Sequence, residues 1–335
     1  MKNNDCSLIS KYRSVLMGIA IAMIMFCHFD IAQSHHDIPV NFIARTFHTF
    51  TVGVDIFLFL SGVGLYYSFT KKKTTYIDFQ KKRIERLFPL YFLIAGITYF
   101  ISDLIINNLG IGKFLRDLFF VSWFTEASTR YWYILAIAVF YLIFPFLYKY
   151  IHSGSNGVIK AIIFSICWYI AVEVLCYFIP GVSSFRIALE RLPIFTIGIY
   201  CGKLSYDSVK LKNYVIIVVW ILGFFLFGVF KTSLFCNIAE PLYYPVRALL
   251  SLAIIITVIA FFEFFKSKME TFHGILVMVF SWFGSVTLEL YLLHQSYMIL
   301  FDFPYKALYY CIVAFGLPTI TAVLITIYRK EKVRK

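Results

Sequence analysis

Charge is scarce in this chain. Asp, Glu, Lys and Arg make up 15% of its 335 residues, against about 25% in a water-soluble domain. The seven cysteines (Cys6, Cys27, Cys167, Cys176, Cys201, Cys236, Cys311) are scattered and no C-x-x-C occurs. That spacing excludes a disulfide framework and a cysteine metal cluster. No A-x-A site follows the first apolar run, whose core is too long for a cleavable signal peptide. A low-complexity linker, an internal repeat and a soluble segment at either end are also missing. The expectation is a single membrane domain over 1–335 with no fused soluble domain.

Apolar residues fill the space that charge leaves. They make up 61% of the chain, 20% is aromatic, and the mean hydropathy is +0.80. Apolar runs recur at roughly 14–33, 51–70, 87–105, 132–150, 158–180, 191–206, 213–230, 243–265, 275–294 and 307–328. A run of about 18 residues or more can cross a bilayer as a helix. Unpaired backbone cannot face lipid. Together these predict an all-α polytopic, multi-pass bundle of about ten transmembrane helices. The net charge of +13 raises nucleic acid as a partner, and its placement argues against one. With the N-terminus inside, 22 of the 31 Lys and Arg fall on inner segments and 9 on outer ones. That bias predicts both termini inside, with the basic side touching anionic membrane lipid.

Ionisable residues within the runs are His28, Asp55, Glu173, Glu289 and, at a run's end, His294. Such residues are functional or paired inside a bundle. The predicted topology puts His28, Asp55, Glu289 and His294 in the outer half at similar depth, so a shared site is geometrically allowed. Plain structural roles compete. A histidine near a helix end can hold its tip in interfacial water. Asp55 falls in the first turn of its helix, where a carboxylate is favoured. Glu173 is expected to be structural. On the inner side, "TKKKTTYIDFQKKRIERLFP" (70–89) reads as a loop, with Pro89 in the first turn of the next helix. Its Lys82, Arg83 and Arg86 suit either a topology anchor or a phosphate clamp; Arg83 and Arg86 are three apart and share a helix face.

Several stretches together resemble the integral membrane family called acyltransferase-3. "MGIAIAMIMFCH" (17–28) is similar to the family's first-span pattern, with Gly18, Ala20 and His28 in place. "GVDIFLFLSGVGL" (53–65) resembles its G-V-D stretch, and "FQKKRIERLFPLY" (79–91) its R-x-x-R inner segment. "WYILAIAVFYLIFP" (132–145) and "SVTLELYLLH" (285–294) resemble its W-Y-L and Y-L-x-H segments. One departure is Met17, where the family carries arginine eleven residues before the histidine. Eleven residues turn about 1100° and advance about 16 Å, so that position shares the face of His28. Arg13, one turn earlier and offset by about 60°, is placed to supply the charge.

The resemblance implies transfer of an acyl group, acetyl foremost, from cytoplasmic acyl-CoA to a hydroxyl of a cell-surface or lipid-linked glycan. It assigns catalysis to His28, Asp55 and Glu289, with the histidine accepting the hydroxyl proton and a carboxylate orienting it. Arg13, Lys82, Arg83 and Arg86 are expected to bind the CoA donor. Trp132, Tyr133, Tyr291 and His294 are expected to bind the acceptor. Neither a metal nor nucleic acid is expected, and self-association into a homo-oligomer is left open. The competing class is a transporter or flippase for a glycan or lipid-linked intermediate, which needs no phosphate clamp paired with a base.

Overall fold

The computed structural model describes residues 5–34, 49–72, 75–154, 156–230, 240–301 and 307–334. Among the described residues the chain is helical, without a β-strand. Eleven main helices carry it: α1 Arg13–Ser34, α2 Gly53–Lys72, α3 Tyr76–Tyr99, α4 Trp132–His152, α5 Gly157–Phe178, α6 Leu192–Tyr206, α7 Asn213–Phe230, α8 Tyr243–Lys268, α9 Glu270–Ser285, α10 Thr287–Leu300 and α11 Leu317–Arg334. The apolar runs fall on helices, but the run at 275–294, expected as one span, is divided by a 68° bend between Ser285 and Thr287 into α9 and α10. Among the described residues six helices are long and apolar enough to cross a membrane, and the count is seven if the broken pair α9 and α10 forms one span. Shorter apolar stretches are Arg13–His28 in α1 and Cys311–Ile327, which leads into α11.

The basic segment at 70–89 corrects an expectation. It is helical from Tyr76, and Pro89 lies inside α3 rather than at its start. The start signal is a capping box. Thr75 Oγ1 accepts from the Asp78 backbone N–H at 3.2 Å and donates to Asp78 Oδ2 at 2.7 Å. With the π-helical turn Phe100–Ile106 the continuous helix is 31 residues long. That is about 46 Å at 1.5 Å per residue, against about 30 Å of hydrocarbon. Its excess length is the polar first part, which carries Lys82, Arg83 and Arg86.

The chain packs as two compact units. The first comprises Met1–Ala20, Val52–Phe79 and Phe140–Ser285. Its centre is the pair α2 and α6, brought together by small residues as in membrane helix pairs. A Cβ on Gly62 would lie 2.4 Å from the Phe195 carbonyl oxygen, and one on Gly198 would lie 2.2 Å from that of Phe59. Most of α6, including Leu192–Thr196, Gly198, Ile199, Gly202 and Ser205, is buried. This explains the weak run at 191–206: a helix enclosed by protein does not need lipid-facing side chains.

The second unit comprises Ile21–Thr51, Gln80–Val139 and Val286–Lys335. Between the turn ending at Ile106 and α4, two short helices, Ile111–Leu118 and Val121–Glu126, fold over it. Phe120, Trp123 and Tyr131 are buried there. Tyr91 Oη donates to the Leu118 carbonyl at 2.8 Å, and Lys113 bridges Asp117 at 2.8 Å and Glu126 at 2.6 Å.

Candidate active site

Two histidines from opposite ends of the chain meet inside the second unit. His28 comes from α1 and His294, fully buried, from α10. His294 Nε2 is 3.1 Å from His28 Nδ1, and the ring centroids are 5.0 Å apart. His28 Nδ1 also lies 2.9 Å from the Ile24 carbonyl oxygen, and His294 Nδ1 lies 2.6 Å from that of Ala314. Gln295 Nε2 is 3.5 Å from His28 Nε2, and Cys27 Sγ is 3.7 Å from His28 Nδ1. Among the described residues no carboxylate is hydrogen-bonded to either ring.

Aromatic side chains from the same unit stand beside the pair on α10. Tyr291, one turn before His294, packs edge-on to Tyr133 at 5.2 Å between centroids, and Trp132 packs against Tyr133 at 6.2 Å. One residue past Gln295, Ser296 Oγ lies 2.7 Å from Tyr131 Oη and 2.8 Å from Thr98 Oγ1. Tyr131, Thr98 and Gln295 escaped the sequence reading because they lie outside the span motifs that were compared or are not ionisable. They come from three separate elements, α3, the turn before α4 and α10, so no local spacing in the sequence joins them.

The two expected carboxylates are placed differently. Glu289 is buried in the first turn of α10. Five residues turn about 500°, which leaves it about 140° around the helix from His294. Asp55 belongs to the first unit, where its Oδ2 is 2.6 Å from Arg247 Nη2 and its Oδ1 is 3.3 Å from Arg191 Nε. All three are buried. Arg247 stands over the rings of Tyr243 and Tyr244, and Arg191 over Tyr244. Neither arginine was singled out from the sequence, although Arg191 directly precedes α6 and Arg247 lies in the second turn of α8, each ahead of an apolar stretch. Glu173, expected to be structural, is ion-paired with Arg186, which also holds Glu190 at 2.5 Å.

The expected donor-binding residues are divided between the units, Arg13 in the first and Lys82, Arg83 and Arg86 in the second. Arg13 Nε donates to the Leu60 carbonyl at 3.0 Å within the first unit. Its guanidinium lies where a side chain on Gly64 would be, 2.5 Å from a Cβ there. Lys82 and Arg86 are exposed and Arg83 is half-buried on the polar part of α3. Among the described residues no group of three or more His, Cys, Asp or Glu is gathered as a metal ion would require.

Neither a curated protein nor a solved structure matches this chain. A family model does: that of the acyltransferase domain matches residues 14–329, a span that contains both histidines, the Asp55 cluster and the basic end of α3. The chain is a multi-pass membrane protein of the acyltransferase-3 family.

Proposed function

We propose that this acyltransferase moves an acetyl group from cytoplasmic acetyl-CoA, or another acyl group from its CoA thioester, to a hydroxyl of a cell-surface or lipid-linked glycan, with His28 as general base. The observation that carries this reading is the buried contact of His28 with His294. It leaves a ring nitrogen of His28 next to an amide, Gln295, rather than a charge. In the reaction the acceptor hydroxyl oxygen bonds to the thioester carbonyl carbon while its proton passes to His28. The C–S bond then breaks, and the thiolate leaves with that proton as CoA thiol. Tyr133, Tyr291 and Trp132 suit the acceptor, since aromatic faces pack on sugar rings. Ten spans with both termini in the cytoplasm put the polar end of α3 at the inner surface, where Lys82, Arg83 and Arg86 meet the CoA phosphates. The membrane is then the cytoplasmic one.

His28→Ala is the test. General-base assistance is worth about 10²–10⁴ in rate, so purified variant should lose transfer from labelled acetyl-CoA by that factor at unchanged donor affinity. Surface glycan from cells carrying the variant should lack the acyl mass. Full transfer by His28→Ala sinks the assignment.

A further inference from the structure

The hydrogen-bond partners of the two histidines decide which nitrogen of each ring carries the proton. A backbone carbonyl only accepts. His294 Nδ1, 2.6 Å from the Ala314 oxygen, must therefore be the protonated nitrogen of its ring. In the neutral ring that leaves Nε2 a bare acceptor. His28 Nδ1 faces two acceptors, the Ile24 oxygen at 2.9 Å and this bare Nε2 at 3.1 Å, so it too must carry its proton. The one lone pair left over is on His28 Nε2, whose hydrogen-bonding neighbour among the described residues is the amide nitrogen of Gln295 at 3.5 Å.

The chain of hydrogen bonds starts from a proline. In an α-helix the Ala314 carbonyl would accept from the N–H four residues on, and residue 318 is Pro318, which has none. The segment Cys311–Gly316 is π-helical as well, and such turns recur at functional sites. Pro318 thus denies the Ala314 carbonyl its α-helical donor, and His294 Nδ1 reaches that buried oxygen at 2.6 Å. His294 supplies the donor, which fixes its tautomer.

We infer that His294 is a positioning residue: held by the Ala314 carbonyl, it joins the Ile24 carbonyl in holding His28 in the Nδ1–H tautomer and presents Nε2 as the base. This inference rests on the assignment of His28 as base and names the atom that acts.

The experiment is ¹⁵N spectroscopy of the full-length protein, histidine-labelled, with long-range ¹H–¹⁵N correlation and the His28 signals assigned from their loss in His28→Gln. Wild-type protein should show His28 and His294 each protonated at Nδ1 and bare at Nε2. His294→Ala should raise the fraction of His28 protonated at Nε2. It should also lower kcat by about 10–100-fold, the loss usual when the group orienting a histidine is removed, at unchanged KM for acyl-CoA. His294→Gln retains a donor for Ala314 and an acceptor for His28 and should recover most of the rate. Pro318→Ala restores an N–H within reach of the Ala314 carbonyl and should shift the same signals in the same direction, by less. A wild-type His28 protonated at Nε2 overturns the inference whatever the activity, and that measurement stands if His294→Ala fails to fold. Failure of the base assignment looks different: His28→Ala keeps its activity while the wild-type tautomers are as stated.

Discussion

In the first unit Asp55 lies 2.6 Å from Arg247 and 3.3 Å from Arg191, all three buried. In the second, His28 and His294 lie 3.1 Å apart and end on backbone carbonyls. Both clusters put polar groups from distant parts of the sequence into an apolar bundle. The first does so with full charges that cancel in part and are spread over tyrosine faces. Such a set is tied down: both oxygens of Asp55 are engaged, and removing it takes the counter-charge from two buried arginines. The second uses groups that can be neutral, and it leaves one nitrogen uncommitted. An apolar bundle tolerates ionic clusters as internal struts, whereas acid–base work needs a group whose proton inventory can change by one.

Asp55→Asn puts this contrast to its hardest test. Losing one partner of a buried ion pair costs about 3–5 kcal/mol, and here two arginines would be stranded. The variant should show a large fall in thermal unfolding temperature and in yield from membranes. His294→Ala, which leaves one neutral carbonyl short of a donor, should cost less stability, about 1–3 kcal/mol, and lose rate as well. If Asp55→Asn unfolds normally yet fails in the chemical step, the division between strut and site collapses.

A pH titration sharpens the same contrast. Glu190 lies outside the spans, in the turn before α6, 2% exposed and paired with Arg186. Burial raises its carboxyl from 4.5 to about 7, more than Arg186 draws it down. The folded form therefore holds a proton that the unfolded chain has lost between those values. Its contribution is full below 4.5 and is lost as pH rises through about 7. Unfolding temperature should fall across that window in wild type, and the slope should flatten in Glu190→Gln. An unchanged slope in the variant assigns the titration elsewhere.

For the donor, the double variant Arg83→Gln, Arg86→Gln should raise KM for acyl-CoA about tenfold, the effect of losing one charge-assisted contact of about 1.4 kcal/mol, with kcat held. Unchanged KM returns this end of α3 to a topology anchor.

The fold was legible where hydropathy alone decides. The apolar runs coincide with helices because lipid demands apolar surface. At 191–206 the signal was weak for the opposite reason, since α6 is covered by protein. The start of α3 was misplaced because Pro89 looked like a first-turn residue, while the Thr75–Asp78 capping box went unused. His28 and His294 stood out as polar residues in apolar helices, but their contact spans 266 residues and no local pattern encodes it. Glu289 shares a helix with His294 and not a helix face. Arg191 and Arg247 carry no motif, and their pairing with Asp55 is a product of packing. Pro318 was the one local clue to Ala314, since a proline always deprives the carbonyl four residues back.

The smallest effect is expected from an ion pair that differs from the Asp55 cluster in exposure. Lys11 Nζ lies 2.5 Å from Glu263 Oε1, and the two side chains are 42% and 29% exposed. Tyr12 Oη donates to the same carboxylate oxygen at 2.7 Å, so Glu263 keeps a partner when the lysine is lost. Water and salt screen a pair this open, and such pairs are worth about 0–1 kcal/mol. Lys11→Met should shift the unfolding temperature by a degree or two, and raising the salt concentration should bring wild type and variant together. The same salt series should leave the gap between wild type and Asp55→Asn unchanged, since ions do not reach a buried pair. If Lys11→Met costs as much as Asp55→Asn, charge pairing itself sustains this bundle and burial is not what separates strut from surface.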